Sequence, residues 1–367
     1  MTDFTSTFPF VPQTDIMRAL ALLLAALSIA PVEAATRRRI AGRGNASDSP
    51  FGVVFNNTPL NVAQIARAVD LAQGAGIQWV RVEFDWAKIQ PASGQIDFSS
   101  VEQIVARARD GNLRILGMLA YSPLWTTTAP AEVTEATRRE RYPPANYDAW
   151  SRFVFTAVAT YKSSIHHWEI WNQPDRGTAD AQCNGFWCGT PAQYAQLLSV
   201  AYKAIKSADP TASVLLGGLA LGGAQQNQNF LFDILTDPNN PATESFDIMS
   251  FHAYGSKSEA LKRMNFVKSQ LAFGGATLRP IWITEFGYGS APSVQNVAPY
   301  FGGEEGQAAY VRDLAPYLLL LGAQRIFWFQ LIDSGNDEFA SYGFLTPALN
   351  KKQAYDAYAA AIKAYHP

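Results

Sequence analysis

Cysteine is nearly absent: Cys183 and Cys188 are the only two in 367 residues. They stand in Cys-Asn-Gly-Phe-Trp-Cys, a spacing unlike zinc or redox motifs and with no histidine near, so a structural metal or a thiol redox centre is not the reading. Charge imbalance is absent too. The 29 basic and 31 acidic residues leave a formal charge of −2, which gives no case for nucleic acid or an anionic membrane surface as a partner. No strand-like run is followed by a glycine-rich phosphate turn, so a doubly wound open sheet, the main competitor among parallel α/β folds, lacks support. Long apolar runs are scarce. The one near the N-terminus, Ala19–Ala30, is too short to serve comfortably as a permanent bilayer anchor.

That run is preceded by Met17-Arg18 and followed by Pro31-Val-Glu-Ala-Ala35. A charged start, an apolar middle and a Val-x-Ala end have the form of a secretory signal peptide, residues 1–35, cleaved near Ala34 or Ala35. A short membrane anchor is the alternative. Residues 36–49, with Arg37, Arg38 and Arg39 among small polar residues, read as a flexible leader. The expected address is secreted or periplasmic, and there Cys183 and Cys188 should form one local disulfide pinning a loop.

Hydrophobic residues make up 48% of the chain, ample for one large core. From residue 50 onward, apolar strand-like runs alternate with amphipathic helical runs eight times. The strands are expected at Phe51–Phe55, Trp79–Phe84, Arg114–Ala120, His167–Asn172, Ser213–Gly217, Phe246–Tyr254, Ile281–Phe286 and Arg325–Leu331. Helices fall between them, and Lys352–Tyr365 closes the series. Strands joined by helices must be parallel, and strands buried on both faces need no polar alternation. The expectation is α/β, a single (β/α)8 TIM barrel over residues 50–367. Most helix-to-strand connections are tight, whereas 122–146, 175–190, 287–304 and 333–350 are long strand-to-helix loops. Long loops without structure of their own carry function, so the C-terminal rim of the strands is the working face.

Two strands end on polar groups at that rim. His167-Trp-Glu-Ile-Trp-Asn-Gln-Pro174 stops at a proline that cannot extend a ladder, presenting Asn172 and Gln173. Ile281-Trp-Ile-Thr-Glu-Phe-Gly287 presents Glu285. Paired carboxyl groups in such positions cleave glycosidic bonds, roughly 5–5.5 Å apart in retaining enzymes. Here one member of the pair is an amide, which hydrogen-bonds but has no proton to give.

These motifs resemble the clan A glycoside hydrolases, most closely glycoside hydrolase family 39. Trp171-Asn172-Gln173-Pro174 matches the clan's Trp-Asn-Glu-Pro except at Gln173, and Thr284-Glu285-Phe286-Gly287 matches its strand-seven motif. Phe251-His252-Ala253-Tyr254, Arg81 and Trp328 extend the likeness over essentially all of the barrel. The resemblance implies Glu285 as nucleophile and position 173 as acid/base. It implies further that Asn172 contacts the sugar 2-hydroxyl, that Tyr254 orients Glu285, and that Trp328 serves as a sugar platform. His252 shares the face of Tyr254. Arg81 needs a carboxylate among Glu83, Glu169 and Glu285, since a lone buried cation is costly, and Glu169 reads as a structural partner. Trp125, Trp187 and Tyr288 lie on rim loops as candidate subsite walls.

Gln173 admits two explanations: an engineered exchange for glutamate in an ordinary O-glycosidase, or a natural loss of the acid/base. Either makes this chain slow on poor leaving groups. The expected function is a secreted retaining hydrolase, endo-acting on an extracellular or capsular polysaccharide. The alternatives are an exo-acting xylosidase or iduronidase type, a carbohydrate-binding pseudoenzyme and a purely structural barrel. No metal or cofactor is expected, an oligo- or polysaccharide is the expected partner, and a monomer is the simplest state.

Overall fold

The computed structural model describes residues 49–55, 60–291, 299–334 and 340–365. The expected signal peptide and, apart from Ser49, the expected leader lie outside the described residues. Eight strands alternate with eight principal helices: β1 Phe51–Phe55, α1 Val62–Gly74, β2 Trp79–Asp85, α2 Ser99–Asp110, β3 Arg114–Ala120, α3 Tyr147–Tyr161, β4 His167–Asn172, α4 Pro191–Ala208, β5 Ser213–Gly218, α5 Phe230–Leu235, β6 Met249–His252, α6 Lys257–Phe273, β7 Ile281–Phe286, α7 Gly303–Leu320, β8 Arg325–Trp328 and α8 Gln353–Tyr365. The sheet runs β5-β4-β3-β2-β1-β8-β7-β6 with every pair parallel. Parallel contacts Leu215↔Ile248 and Leu219↔Phe251 join β5 to β6. The result is the (β/α)8 barrel, as the alternation required.

Local chemistry sets the helix starts. Asn61, Thr190 and Ser256 each close a capping box with a Gln or Glu three residues on, satisfying backbone N–H groups that the first turn leaves open. Pro191 follows Thr190 at the helix start, where its missing N–H costs nothing. The expected strands β6 and β8 are longer than observed: β6 is confined to Met249–His252 and β8 to Arg325–Trp328. Register shifts beside His252 and Phe286 interrupt both ladders there, and the chain leaves the sheet where the rim begins.

Side chains fill the barrel in layers, because period two sends alternate residues inward. At the closed end, Val54, Trp79, Leu116, Leu215, Trp282 and Phe327 form an apolar plug. One step up, Arg81, Glu169, Ser250 and Thr284 form a buried polar layer. The third layer is the open mouth.

Candidate active site

Arg81, two residues above Trp79 on β2, is the hub. Its Nε donates to Glu169 Oε2 at 2.6 Å, Nη1 to Glu285 Oε1 at 2.7 Å and Nη2 to Asn172 Oδ1 at 3.1 Å. Of the three carboxylates that the sequence offered it, Arg81 pairs with two. Glu169, fully buried, also accepts from Ser250 Oγ at 2.8 Å and Thr284 Oγ1 at 2.7 Å. Its oxygens are therefore committed, which fits a structural partner. Burial alone would lower the Arg81 pKa, but Glu169 and Glu285 more than reverse that and raise it, so the guanidinium stays charged and fixes both carboxylates.

Glu285, the penultimate residue of β7, lies in the third layer. Tyr254 donates its hydroxyl to Glu285 Oε2 at 2.7 Å, and burial with the adjacent carboxylate holds the Tyr254 pKa well above its usual value. Burial pushes the Glu285 carboxyl up, against the lowering pull of Arg81 and the Tyr254 hydrogen bond. Each oxygen is thus oriented by a charge-assisted hydrogen bond.

His252 brings the two rim motifs together. Its Nδ1 lies 3.0 Å from Gln173 Nε2 and 3.3 Å from Glu285 Oε2. Those two atoms can therefore be no farther apart than the sum of these distances, about 6 Å, a separation compatible with a retaining pair. Burial, then Arg81, Arg263 and Arg176, push the His252 pKa well below its normal value, so the ring is neutral. Arg176 Nη1 donates to Gln173 Oε1 at 3.2 Å. That contact fixes which way the amide faces, so Gln173 Nε2 donates to His252 Nδ1 and the ring proton sits on Nε2. Gly218 makes room for this ring: a Cβ there would come within 2.3 Å of His252 Nε2.

The end of β4 is bent into this shape at a cost. Trp171 has φ 74° and Gln173 φ 44°, a region that non-glycine residues avoid and that persists only where surroundings over-determine it. Trp171 is held by Nε1 donating to Phe186 O at 2.7 Å and by edge contacts with Trp187 and Tyr121. The kink breaks strict alternation and lets the adjacent residues Asn172 and Gln173 both serve the mouth.

Two features carry the wall beside Gln173. Cys183 and Cys188 form the expected local disulfide, with Cα atoms 5.6 Å apart. Their loop is braced by Arg138 Nη2 donating to Cys183 O at 2.9 Å and Tyr142 hydroxyl donating to Asp180 O at 2.7 Å. Asp175, buried, accepts from the backbone of Ala220 and Leu221, each at 2.8 Å; burial lifts its pKa to about 6.

Several expected positions fall elsewhere. Trp328 is 0% exposed, stacks on Phe344 at 4.8 Å, and donates Nε1 to Tyr342 O at 2.9 Å. Phe327 takes the inward position in the plug, so Trp328 faces the helices and is no sugar platform. Phe329 and Tyr342 occupy the mouth instead, partly exposed and in edge contact with Tyr254. Trp187 and Tyr288 are buried, their polar atoms donating to Thr190 O and Tyr300 O, and so line no subsite. Trp125 is half-buried on its rim loop, Nε1 donating to Gln90 O at 2.9 Å, outside the hydrogen-bonded cluster around Glu285.

One carboxyl escaped notice as a site residue. Glu83 is the next inward position above Arg81 on β2, close enough to feel the charges of Arg81 and Glu285. Burial, then Asp85, raises its pKa to about 7.

Over residues 45–315 the chain matches the sequence profile of Cellulase (glycosyl hydrolase family 5). The chain belongs to glycosyl hydrolase family 5. In this family 5 chain Trp171-Asn172-Gln173-Pro174 stands at the end of β4 and Glu285 near the end of β7, as expected, whereas Tyr254 lies just beyond β6. Solved structures similar to it come from more than one family. A family 39 glycoside hydrolase from the gut symbiont Bacteroides cellulosilyticus WH2 superposes with a TM-score of 0.64 at 18% identity, covering 87% of this chain and 65% of that one. A family 39 enzyme from Xanthomonas axonopodis pv. citri gives 0.64 at 16% identity, covering 87% and 67%. A subfamily 18 enzyme of family 5 from Streptomyces cattleya, solved with GlcNAc, gives 0.64 at 18% identity, covering 87% and 80%. At such identities the likeness is one of fold. The chain spans 65% of the length of the Bacteroides enzyme. Among the described residues no helix is long and apolar enough to cross a membrane, and no group of three or more His, Cys, Asp or Glu is placed to hold a metal.

Proposed function

We propose that the protein is a retaining glycoside hydrolase that works by double displacement, with Glu285 as nucleophile and position 173 where a clan A enzyme has its acid/base. The observation that carries this is the shared contact at His252 Nδ1, 3.0 Å from Gln173 and 3.3 Å from Glu285. Glu285 attacks the anomeric carbon, held by Arg81 and Tyr254. Asn172 Oδ1 accepts from Arg81 Nη2, which leaves its amide N–H groups as donors for a sugar hydroxyl. Gln173 stands at the leaving oxygen as a hydrogen-bond donor. The substrate is an extracellular oligo- or polysaccharide, attacked internally along a cleft between the long rim loops, and the protein is secreted through its N-terminal segment.

The test is stereochemical. The Gln173→Glu enzyme is screened on oligosaccharides, and NMR follows the first-formed anomer. Retention supports the proposal; inversion, or activity that survives Glu285→Ala, contradicts it.

A second reading is favoured by the amide itself. Gln173 already has both ends engaged, by His252 and Arg176, as a binding site with no proton to move would have. A carbohydrate-binding protein would hold oligosaccharide by calorimetry yet gain no hydrolysis from Gln173→Glu.

A further inference from the structure

We propose that the acceptor side of this site is built for an oxyanion, and that Arg176 is the residue that binds it. The inference rests on the double-displacement reading and adds what leaves and what arrives.

Arg176 is half-exposed three residues beyond Gln173. Its Nη1 donates to Gln173 Oε1 at 3.2 Å and its Nε to Ala224 O at 3.4 Å. Both acceptors are neutral and both contacts are long. Among the described residues, no carboxylate lies within ion-pair distance of it. Asp175 is near enough to feel its charge, but the Asp175 oxygens are held by the amides of Ala220 and Leu221. The contrast with Arg81, which meets two carboxylates, is direct.

The guanidinium is nonetheless firmly placed. It lies over the Phe186 ring at 5.6 Å, and Arg141 lies over the same ring at 5.0 Å. The Arg176 carbonyl accepts from Phe186 N at 2.7 Å and Trp187 N at 3.0 Å, within the disulfide loop. A second arginine flanks it. Among the described residues Arg263 donates to the carbonyls of Leu221 and Tyr254, with Glu259 near enough to feel its charge, and the Gly222-Gly223 turn runs against both guanidinium groups. A cation with spare N–H groups, fixed beside the leaving-group position, is an anion site.

Proton balance at position 173 leads to the same conclusion. When Glu285 attacks, the electron pair of the breaking C1–O bond passes to the departing oxygen. Gln173 cannot supply a proton, so that oxygen leaves as an anion, which is easy for a phosphate or carboxylate and hard for a sugar alkoxide. In the second half, a phosphate or carboxylate oxygen attacks C1 and expels the Glu285 carboxylate, again with no proton transferred. Water, by contrast, must lose a proton that Gln173 cannot take. With glutamine at 173, exchange between the glycosyl-enzyme and an oxyanion is therefore the faster path and hydrolysis the slower one.

The experiment uses a panel of 2,4-dinitrophenyl 2-deoxy-2-fluoro glycosides, both anomers, to load the full-length protein. Intact mass then follows release of the sugar in buffer alone, in inorganic phosphate and in formate. The expected result is release that accelerates and saturates with the anion, forming a glycosyl phosphate or glycosyl formate. Phosphate as the better anion assigns a phosphorylated group, and formate a carboxylated one. Arg176→Gln should raise the half-saturating concentration by about tenfold or more, and Arg176→Lys, which keeps charge without the planar fork, by less. Release as fast in water as in anion overturns the inference, as does acceleration that Arg176→Gln leaves unchanged in a protein of normal melting temperature. Failure of every glycoside to load would instead remove the nucleophile, and this inference with it.

Discussion

Arg81 and Glu285, 204 positions apart in sequence, meet at 2.7 Å across the barrel, and the same guanidinium holds Glu169 at 2.6 Å. One buried cation thus organises the floor of the site, and removing it would leave two carboxylates uncompensated in the barrel interior. Arg81→Met should lower unfolding free energy by about 3–5 kcal/mol, read from urea titration. A loss below about 1 kcal/mol, the range of an exposed pair, would mean that this network is not the anchor described here.

Gln173→Glu should raise hydrolysis of oligosaccharides by roughly 10²–10⁴-fold. Arg176, 3.2 Å from Gln173 Oε1, would favour the ionised form of the new carboxyl and so hold the pH optimum lower than it would lie without that charge. Adding Arg176→Gln should move that optimum upward. A pH–rate profile of the two variants checks both points, and an optimum that does not move would place Arg176 away from the new carboxyl.

Glu83 makes a prediction of its own. Its folded pKa is raised from 4.5 to about 7, so its contribution to stability is fully present below 4.5 and is lost as pH rises through about 7. The melting temperature of the parent should fall across that window, and Glu83→Gln should flatten the fall. Identical pH slopes for the two proteins would show that Glu83 titrates normally.

The aromatic assignments separate by assay. Trp328→Ala should cost about 3–5 kcal/mol of stability. Phe329→Ala should instead weaken oligosaccharide binding by about tenfold, equivalent to about 1.4 kcal/mol, with a melting temperature near that of the parent. Calorimetry and thermal unfolding on both variants decide it.

The barrel was legible in the sequence because its signals are local. Alternating runs, tight helix-to-strand turns and capping residues such as Thr190 with Gln193 act over a few positions. The strand ends that carry Gln173 and Glu285 were legible for the same reason, since Pro174 and Gly287 mark where each strand stops. Trp328 was misplaced because a run of four aromatic or apolar residues, Ile326 to Phe329, has no polar phase to say which of them point inward. Only pairing with β1 and β7 settles that Phe327 does. Arg176 went unread because its partner Phe186 is brought to it by a disulfide loop. Glu83 was seen only as a possible partner for Arg81, since burial, which gives it a proton near neutral pH, has no sequence signature.

Peptide mapping of the protein loaded with an activated 2-fluoro glycoside tests the central claim most directly. The account predicts one added sugar, on the peptide containing Glu285, and none on a Glu285→Gln protein. A sugar attached at Glu83 or Glu169, or labelling that persists without Glu285, would contradict it.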